Sequence, residues 1–150
     1  MLSADAQRLA IQSSLHYCLI VPEESACPFC HLPQERIIRA SKYAVAFHDG
    51  YPISRGHSLI IPMRHVKSLT QLSSDEYAGL WDLVREFQIT LREEFNPDGF
   101  NIGVNDGQEA GQTIPHAHVH LIPRYKGDVP DPRGGVRWVL PEKADYWTTP

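Results

Sequence analysis

At 150 residues the chain can bury roughly 70% of the surface its unfolded form would expose, so a single domain spanning 1–150 with one core is expected. A net charge of -4 offers no basic stripe to follow a phosphate backbone, and no apolar run approaches the ~20 residues that span a bilayer; nucleic-acid polymers and membranes are therefore excluded as expected partners. Three cysteines, an odd number, make no disulfide framework and fit a reducing, cytoplasmic compartment.

Residues 1–15, "MLSADAQRLAIQSSL", carry weak helical periodicity behind Ser3 and predict a short N-terminal helix within an extension covering 1–24. "RIIRA" and "YAVAFHD" read as a hairpin, and "HSLIIPMRH" as a third strand ended by Pro62. The clearest element is a helix over 74–95. Ser73 and Glu76 stand at capping-box spacing, and Tyr77, Leu80, Trp81, Val84, Leu91 and Phe95 trace one apolar stripe. "NPDG" stops it, after which "FNIGVN" and "IPHAHVHLIP" supply two more strands. With no βαβ alternation, the expected fold is α+β: a five-stranded, mainly antiparallel sheet, one long helix and the short N-terminal one. Residues 125–150, rich in Pro and Gly, read as a loop-rich tail over the surface.

"TIPHAHVHLIPR" places His116, His118 and His120 at every second position. Side chains of a strand alternate, so the three imidazoles share one face while Ala117, Val119 and Leu121 share the other. Imidazole, with an ordinary pKa near ~6.5, serves at neutral pH as nucleophile, acid, base or metal ligand. The glycine-rich "NDGQEAGQT" just before the strand is the kind of loop that brings backbone close to an anion, which favours chemistry on phosphate. No His-Glu motif of the metallohydrolase type is present. Cys27 and Cys30 form C-x-x-C, which on spacing alone is a redox pair, half a zinc site or an accident of composition; His31, His48, His57 and His65 are the nearby candidate ligands.

"GQTIPHAHVHLIPR", with "HDGYPISRGHSLIIPMRHV" upstream, resembles the histidine triad superfamily of nucleotide hydrolases and transferases, and "DGQEAGQT" before the triad is most similar to the branch that cleaves dinucleoside polyphosphates. The resemblance covers roughly Cys27 to Arg124. It implies that His118 attacks the α-phosphorus of a nucleotide, giving a covalent nucleotidyl-histidine that water then releases. It also implies that His120 hydrogen-bonds the α-phosphate and bridging oxygen, and that His57 supports the triad. Asn105, Gly111, Gln112 and Thr113 match positions that bind phosphate oxygens, and Asp49 the position that takes the ribose hydroxyls. Uridylyltransferases of the superfamily carry Gln where this chain has His120, so hydrolysis is expected over transfer. Members with an N-terminal C-x-x-C complete a structural zinc site with residues matching His65 and His116, giving Cys27, Cys30, His65 and His116 here; Mg2+ would enter only with the polyphosphate. Homodimers are the family habit, with Trp81 and the outer side of helix 74–95 as the candidate surface. The rival readings are a nucleoside phosphoramidase using the same residues, and a nucleotide-binding regulatory module in which turnover is incidental.

Other candidates have plainer readings. Arg124 neutralises a distal phosphate or caps its strand. Arg133, Arg137 and Trp138 in "DPRGGVRW" reach substrate, or Trp138 packs into the core or an interface; Phe47 lies under a base. Cys18 reads as a small buried apolar residue, and His16 and His31 as solvent-facing or locally hydrogen-bonded.

Overall fold

The computed structural model describes residues 27–148. The expected N-terminal helix over 1–15, His16 and Cys18 lie outside the described residues. Five strands form one sheet: β1 (Arg39–Ala40), β2 (Ala44–His48), β3 (Ser58–Pro62), β4 (Gly99–Gly103) and β5 (Val119–Arg124). The order is β1-β2-β3-β5-β4, and all four pairings are antiparallel, so the sheet is antiparallel throughout. Helix α1 (Ser74–Phe95) joins β3 to β4.

One face of the sheet, with Ala44, Ala46, Ile60, Val119 and Leu121, packs under Leu80, Leu83, Val84, Phe87 and Leu91 of α1. The other face, with Val45, Phe47, Leu59 and Ile61, is covered by Phe29, Leu32 and Ile37 of the segment preceding β1. Strands β2 and β3 are thus covered on both sides. That is why "AVAF" and "SLII" are continuous apolar runs, whereas β5 alternates between buried and half-buried residues along its length.

The helix begins where the capping box placed it. Ser73 Oγ accepts from the Glu76 N–H while Glu76 accepts from the Ser73 N–H at 2.8 Å. It ends at Asn96, whose left-handed φ of 48° terminates the last turn just before Pro97. The buried stripe is rotated from the expected one. Leu80, Val84 and Leu91 are inside as predicted, but Leu83 and Phe87 join them, while Tyr77 is 46% exposed and Trp81 lies at the margin of the core. Tyr77 and Trp81 satisfied helical spacing from the flank of the stripe; Leu83 and Phe87 stand nearer its centre.

The tail is more regular than a loop. It forms a 3-10 turn over Gly135–Val139 and a short helix, α2 (Pro141–Ala144). Trp138 is exposed and its indole N–H donates to the Arg133 carbonyl at 2.8 Å, so the core placement considered from sequence is not what this fold uses. Arg124 is held by Asp128 at 2.6 Å and donates to Asn101 Oδ1, which accords with the strand-capping reading.

Glu76 also receives both Arg64 Nε and Nη2 at 2.8 Å, tying the start of α1 to the segment that follows β3 and carries His65. These Arg64 bonds, helped by the Ser73 contacts, lower the Glu76 carboxyl from 4.5 to about 2. A folded-state pKa below the unfolded one means stability present above pH 4.5 and lost as pH falls toward 2. Glu76→Gln is therefore expected to cost about 1 kcal/mol at pH 7, with urea midpoints of mutant and wild type converging as pH falls through that window.

Candidate active site

The approach to β5 is bent before it becomes regular. The His116 N–H turns back to the Ile114 carbonyl at 2.8 Å and the Ala117 N–H reaches the Val66 carbonyl at 2.7 Å, so ladder pairing begins only at Val119. The alternation survives this bend. Val119 and Leu121 enter the core under α1, while on the opposite face the Phe29 ring lies edge-on to His116 and His118 at 5.9 and 5.4 Å.

The tautomers of His118 and His57 follow from partners of fixed polarity, and that of His120 follows from His57. His118 Nδ1 sits 2.8 Å from the His116 carbonyl, which can only accept; the proton is on Nδ1 and the lone pair is on Nε2. His57 Nδ1 accepts from the Ile53 backbone N–H at 3.3 Å, so its proton is on Nε2. That Nε2–H faces His120 Nδ1 at 3.1 Å and Asp49 Oδ2 at 3.5 Å. His120 therefore accepts on Nδ1 and carries its own proton on Nε2. The rings of His118 and His120 stand 5.0 Å apart. The result is a lone pair on one imidazole and an N–H donor on its neighbour. Burial, reinforced by His118 and His57, lowers His120 to about 4, and burial lowers His57 against the opposing pull of Asp49.

His116 turns to a different task. Its Nε2–H donates to the Pro62 carbonyl at 3.0 Å, leaving the Nδ1 lone pair 3.6 Å from both Cys27 Sγ and Cys30 Sγ. His65 Nδ1 is 3.2 Å from Cys30 Sγ, and the four ligand atoms lie within 4.8 Å of one another. These spacings suit a tetrahedral ion, for which nitrogen at ~2.0 Å and sulfur at ~2.3 Å subtend an edge of roughly 3.6 Å. Burial is the main cause that lowers His116 to about 4, which keeps it in the neutral, ligating form. The C-x-x-C thus meets His65 and His116, and His31, His48 and His57 are not in the cluster. These four residues form a group that could bind a metal ion.

Two clefts flank the histidines. One, of about 520 Å³, runs between Phe29, Leu32, Phe47 and Asp49 to Thr113 and Ile114. The other, of about 530 Å³, is bounded by His57, His120, Asn105 and Ile53 on one side and by Val136 and Val139 of the tail on the other. Asp49 and Tyr51 border both. Gly103 lies directly across the ladder from His120, and a Cβ there would meet nothing within 4 Å, so β4 leaves open space beside this ring.

The glycine-rich loop is bonded to itself. The N–H groups of Ala110, Gly111 and Gln112 are spent on carbonyls of the same loop, with Gly107 and Gly111 at φ of 95° and 89°. Gln112 Oε1 accepts from the Gly107 N–H at 2.9 Å and its Nε2 donates to the Lys67 carbonyl at 2.8 Å. Gly111 and Gln112, expected to bind phosphate, also brace the loop from within. Asn105 and Thr113 are the two predicted loop residues that border the clefts. Arg133 and Arg137 are also taken up locally, by Asp131 and by the carbonyls of Lys143 and Ala144. Tyr51, Ile53, Val136 and Val139 had no signal in the sequence, because nothing in an apolar residue of a polar loop says which cavity it borders.

A model of the HIT domain matches residues 31–127, and the chain belongs to that family. Among curated proteins it is similar to a bis(5'-nucleosyl)-tetraphosphatase [asymmetrical] of Schizosaccharomyces pombe, 42% identical over 93 residues, which cover 62% of this chain and 51% of that one. It is also similar to a bis(5'-adenosyl)-triphosphatase of Saccharomyces cerevisiae, 35% identical over 120 residues, 77% of this chain and 54% of that one. The chain spans about half the length of these curated relatives. Among solved structures, the Caenorhabditis elegans NitFhit protein shares 34% identity and a TM-score of 0.64, over 75% of this chain and 26% of that one. A Plasmodium falciparum diadenosine triphosphate hydrolase shares the fold, with a TM-score of 0.65 at 23% identity over 89% of this chain and 91% of that one.

The tautomers are directly measurable. In long-range ¹⁵N–¹H spectra near pH 7, His118 is expected as the Nδ1–H form and His57 and His120 as Nε2–H forms. His120 is expected to stay neutral well below the ordinary imidazole range and to titrate near pH 4. A His118 protonated on Nε2 would contradict the arrangement.

Proposed function

We propose that this chain is a nucleotide hydrolase that cleaves a phosphoanhydride at the α-phosphorus of a dinucleoside polyphosphate. The observation that carries the reading is the pairing of tautomers: a lone pair fixed on His118 Nε2 beside an N–H fixed on His120 Nε2. The names of the two yeast relatives, a tetraphosphatase and a triphosphatase of dinucleotides, support the same chemistry.

In this reading His118 Nε2 attacks the α-phosphorus; the N–P bond forms as the bond to the bridging oxygen breaks, and the remaining nucleoside polyphosphate departs as an anion. The Nδ1–H of His118 stays on the His116 carbonyl, which offsets the positive charge the ring acquires. The Nε2–H of His120 donates to the bridging oxygen, and His57 holds that ring in the required orientation. Water then adds to phosphorus and the N–P bond breaks. Neutral His118 is restored, with one proton of the water left on the mononucleotide and one released to solvent. Asp49 takes the ribose hydroxyls of the transferred nucleotide, with its base in the Phe29–Phe47 cleft, and Asn105 and Thr113 contact phosphate oxygens.

We further propose that the ion held by Cys27, Cys30, His65 and His116 is zinc, because two thiolates and two imidazoles at tetrahedral spacing are a donor set that it favours. Four protein ligands leave no open position, so the ion's contribution would be structural: it fixes His116, whose carbonyl orients His118. We also propose a homodimer through the outer side of α1, where Tyr77 and Ile89 are exposed.

His118→Ala is expected to lower turnover of diadenosine tetraphosphate by on the order of 10⁴-fold or more while the thermal midpoint changes little. Near wild-type turnover by that variant would end the nucleophile assignment. Protein purified without chelator is expected to carry one zinc per chain by elemental analysis, and stripping it to lower stability steeply, since structural zinc contributes on the order of 10 kcal/mol.

A further inference from the structure

The second cleft, between His120 and the tail, extends beyond the groups proposed to hold the transferred nucleotide. Its near wall is shared with them: Asp49, His57, His120 and Asn105. Its far wall is the Gly135–Val139 turn, from which Val136 and Val139 face the cleft while being 61% and 78% exposed. Ile53 and Tyr51, 74% and 91% exposed, complete an apolar rim.

This wall is held in place by the tail's own bonding. Arg137 donates to the carbonyls of Lys143 and Ala144, the Trp138 indole to the Arg133 carbonyl, and the Arg133 guanidinium pairs with Asp131 and lies 4.6 Å from the centre of the Trp147 ring. Gly135 rests against Asn101 of β4, whose Oδ1 is held by Arg124; a Cβ at Gly135 would come within 3.3 Å of Asn101 Nδ2. The bracing consumes both cations of the turn. What the tail presents to the cleft is aliphatic surface, which suits the face of a planar ring and does not suit a phosphate.

We infer that this cleft is the binding site for the leaving nucleoside of a dinucleoside polyphosphate, with Val136 and Val139 of the tail as specificity-determining residues. Two cavities of nearly equal size, 520 and 530 Å³, share Asp49 and Tyr51 as a common border, and His120 stands in the wall of the second. A substrate with one nucleoside at each end and phosphates across the histidines fills both. The inference rests on the hydrolase reading for its geometry.

The test compares wild type with the V136S/V139S double variant, whose two positions are exposed and touch none of the catalytic bonds. Diadenosine tetraphosphate and adenosine 5'-phosphoramidate share the transferred nucleotide, but the second releases only ammonia. The double variant is expected to lose about tenfold in kcat/KM for the dinucleotide while staying within about twofold of wild type on the amide. Equal loss on both substrates, or no loss on either, would overturn the inference. Calorimetry with AMP and the methylene-bridged analogue of diadenosine tetraphosphate decides it independently of turnover. The analogue should bind wild type more tightly than AMP does, and the double variant should remove the difference; equal affinities in wild type would overturn the site. Wild type that turns over neither substrate would end the hydrolase reading, with the calorimetric result still deciding the cleft.

Discussion

The hydrogen bond from His118 Nδ1 to the carbonyl of His116 is the interaction on which the rest of the site depends. It selects the tautomer that leaves Nε2 bare and it fixes the plane of the ring. The acceptor is backbone, and that backbone belongs to a residue whose own ring is held by the Pro62 carbonyl on one side and faces the two cysteines on the other. A side chain at the Cys/His cluster and the peptide carbonyl that orients His118 are thus the two ends of one residue. Any loosening of the cluster moves the carbonyl, and with it the histidine that the carbonyl orients.

A second chain of constraints runs through the loop before β3. The Ile53 N–H sets the tautomer of His57, His57 sets that of His120, and Asp49 closes the group. The loop itself is anchored outside the site. The Arg55 side chain donates to the Phe95 carbonyl at the end of α1, and Gly56, at φ of 83°, lies so close to Phe95 and Pro123 that a side chain would have to displace them. The proton positions in the cleft therefore trace back to packing between the helix end and β5, well away from any reacting atom.

Much of this was legible in the sequence because it rests on periodicity and local chemistry. Alternation along "HAHVHL" separated the imidazoles from Val119 and Leu121, and Ser73 with Glu76 marked the helix start to the residue. What was not legible comes from tertiary competition. The family resemblance put Gln112 at a phosphate; nothing local shows that its amide also bonds the Lys67 carbonyl and the Gly107 N–H. Tyr77 fitted the helical stripe in spacing, but the face a helix buries is chosen by the sheet beneath it, and Leu83 and Phe87 lie closer to that sheet. The tail's role as a cleft wall depends on its return across Asn101, which no pattern within residues 125–150 encodes.

Gly103 gives the cleft one further property. Opposite His120 the floor is the main chain of Gly103, flanked by the side chains of Ile102 and Val104, and its position is set by the ladder of hydrogen bonds between β4 and β5. A floor of this kind has no rotamers. It loses no side-chain entropy when a ligand settles on it, and it cannot swing aside for a ligand of the wrong shape. Shape selection beside His120 is then carried by a rigid surface, and adjustment is left to the exposed side chains at the rim.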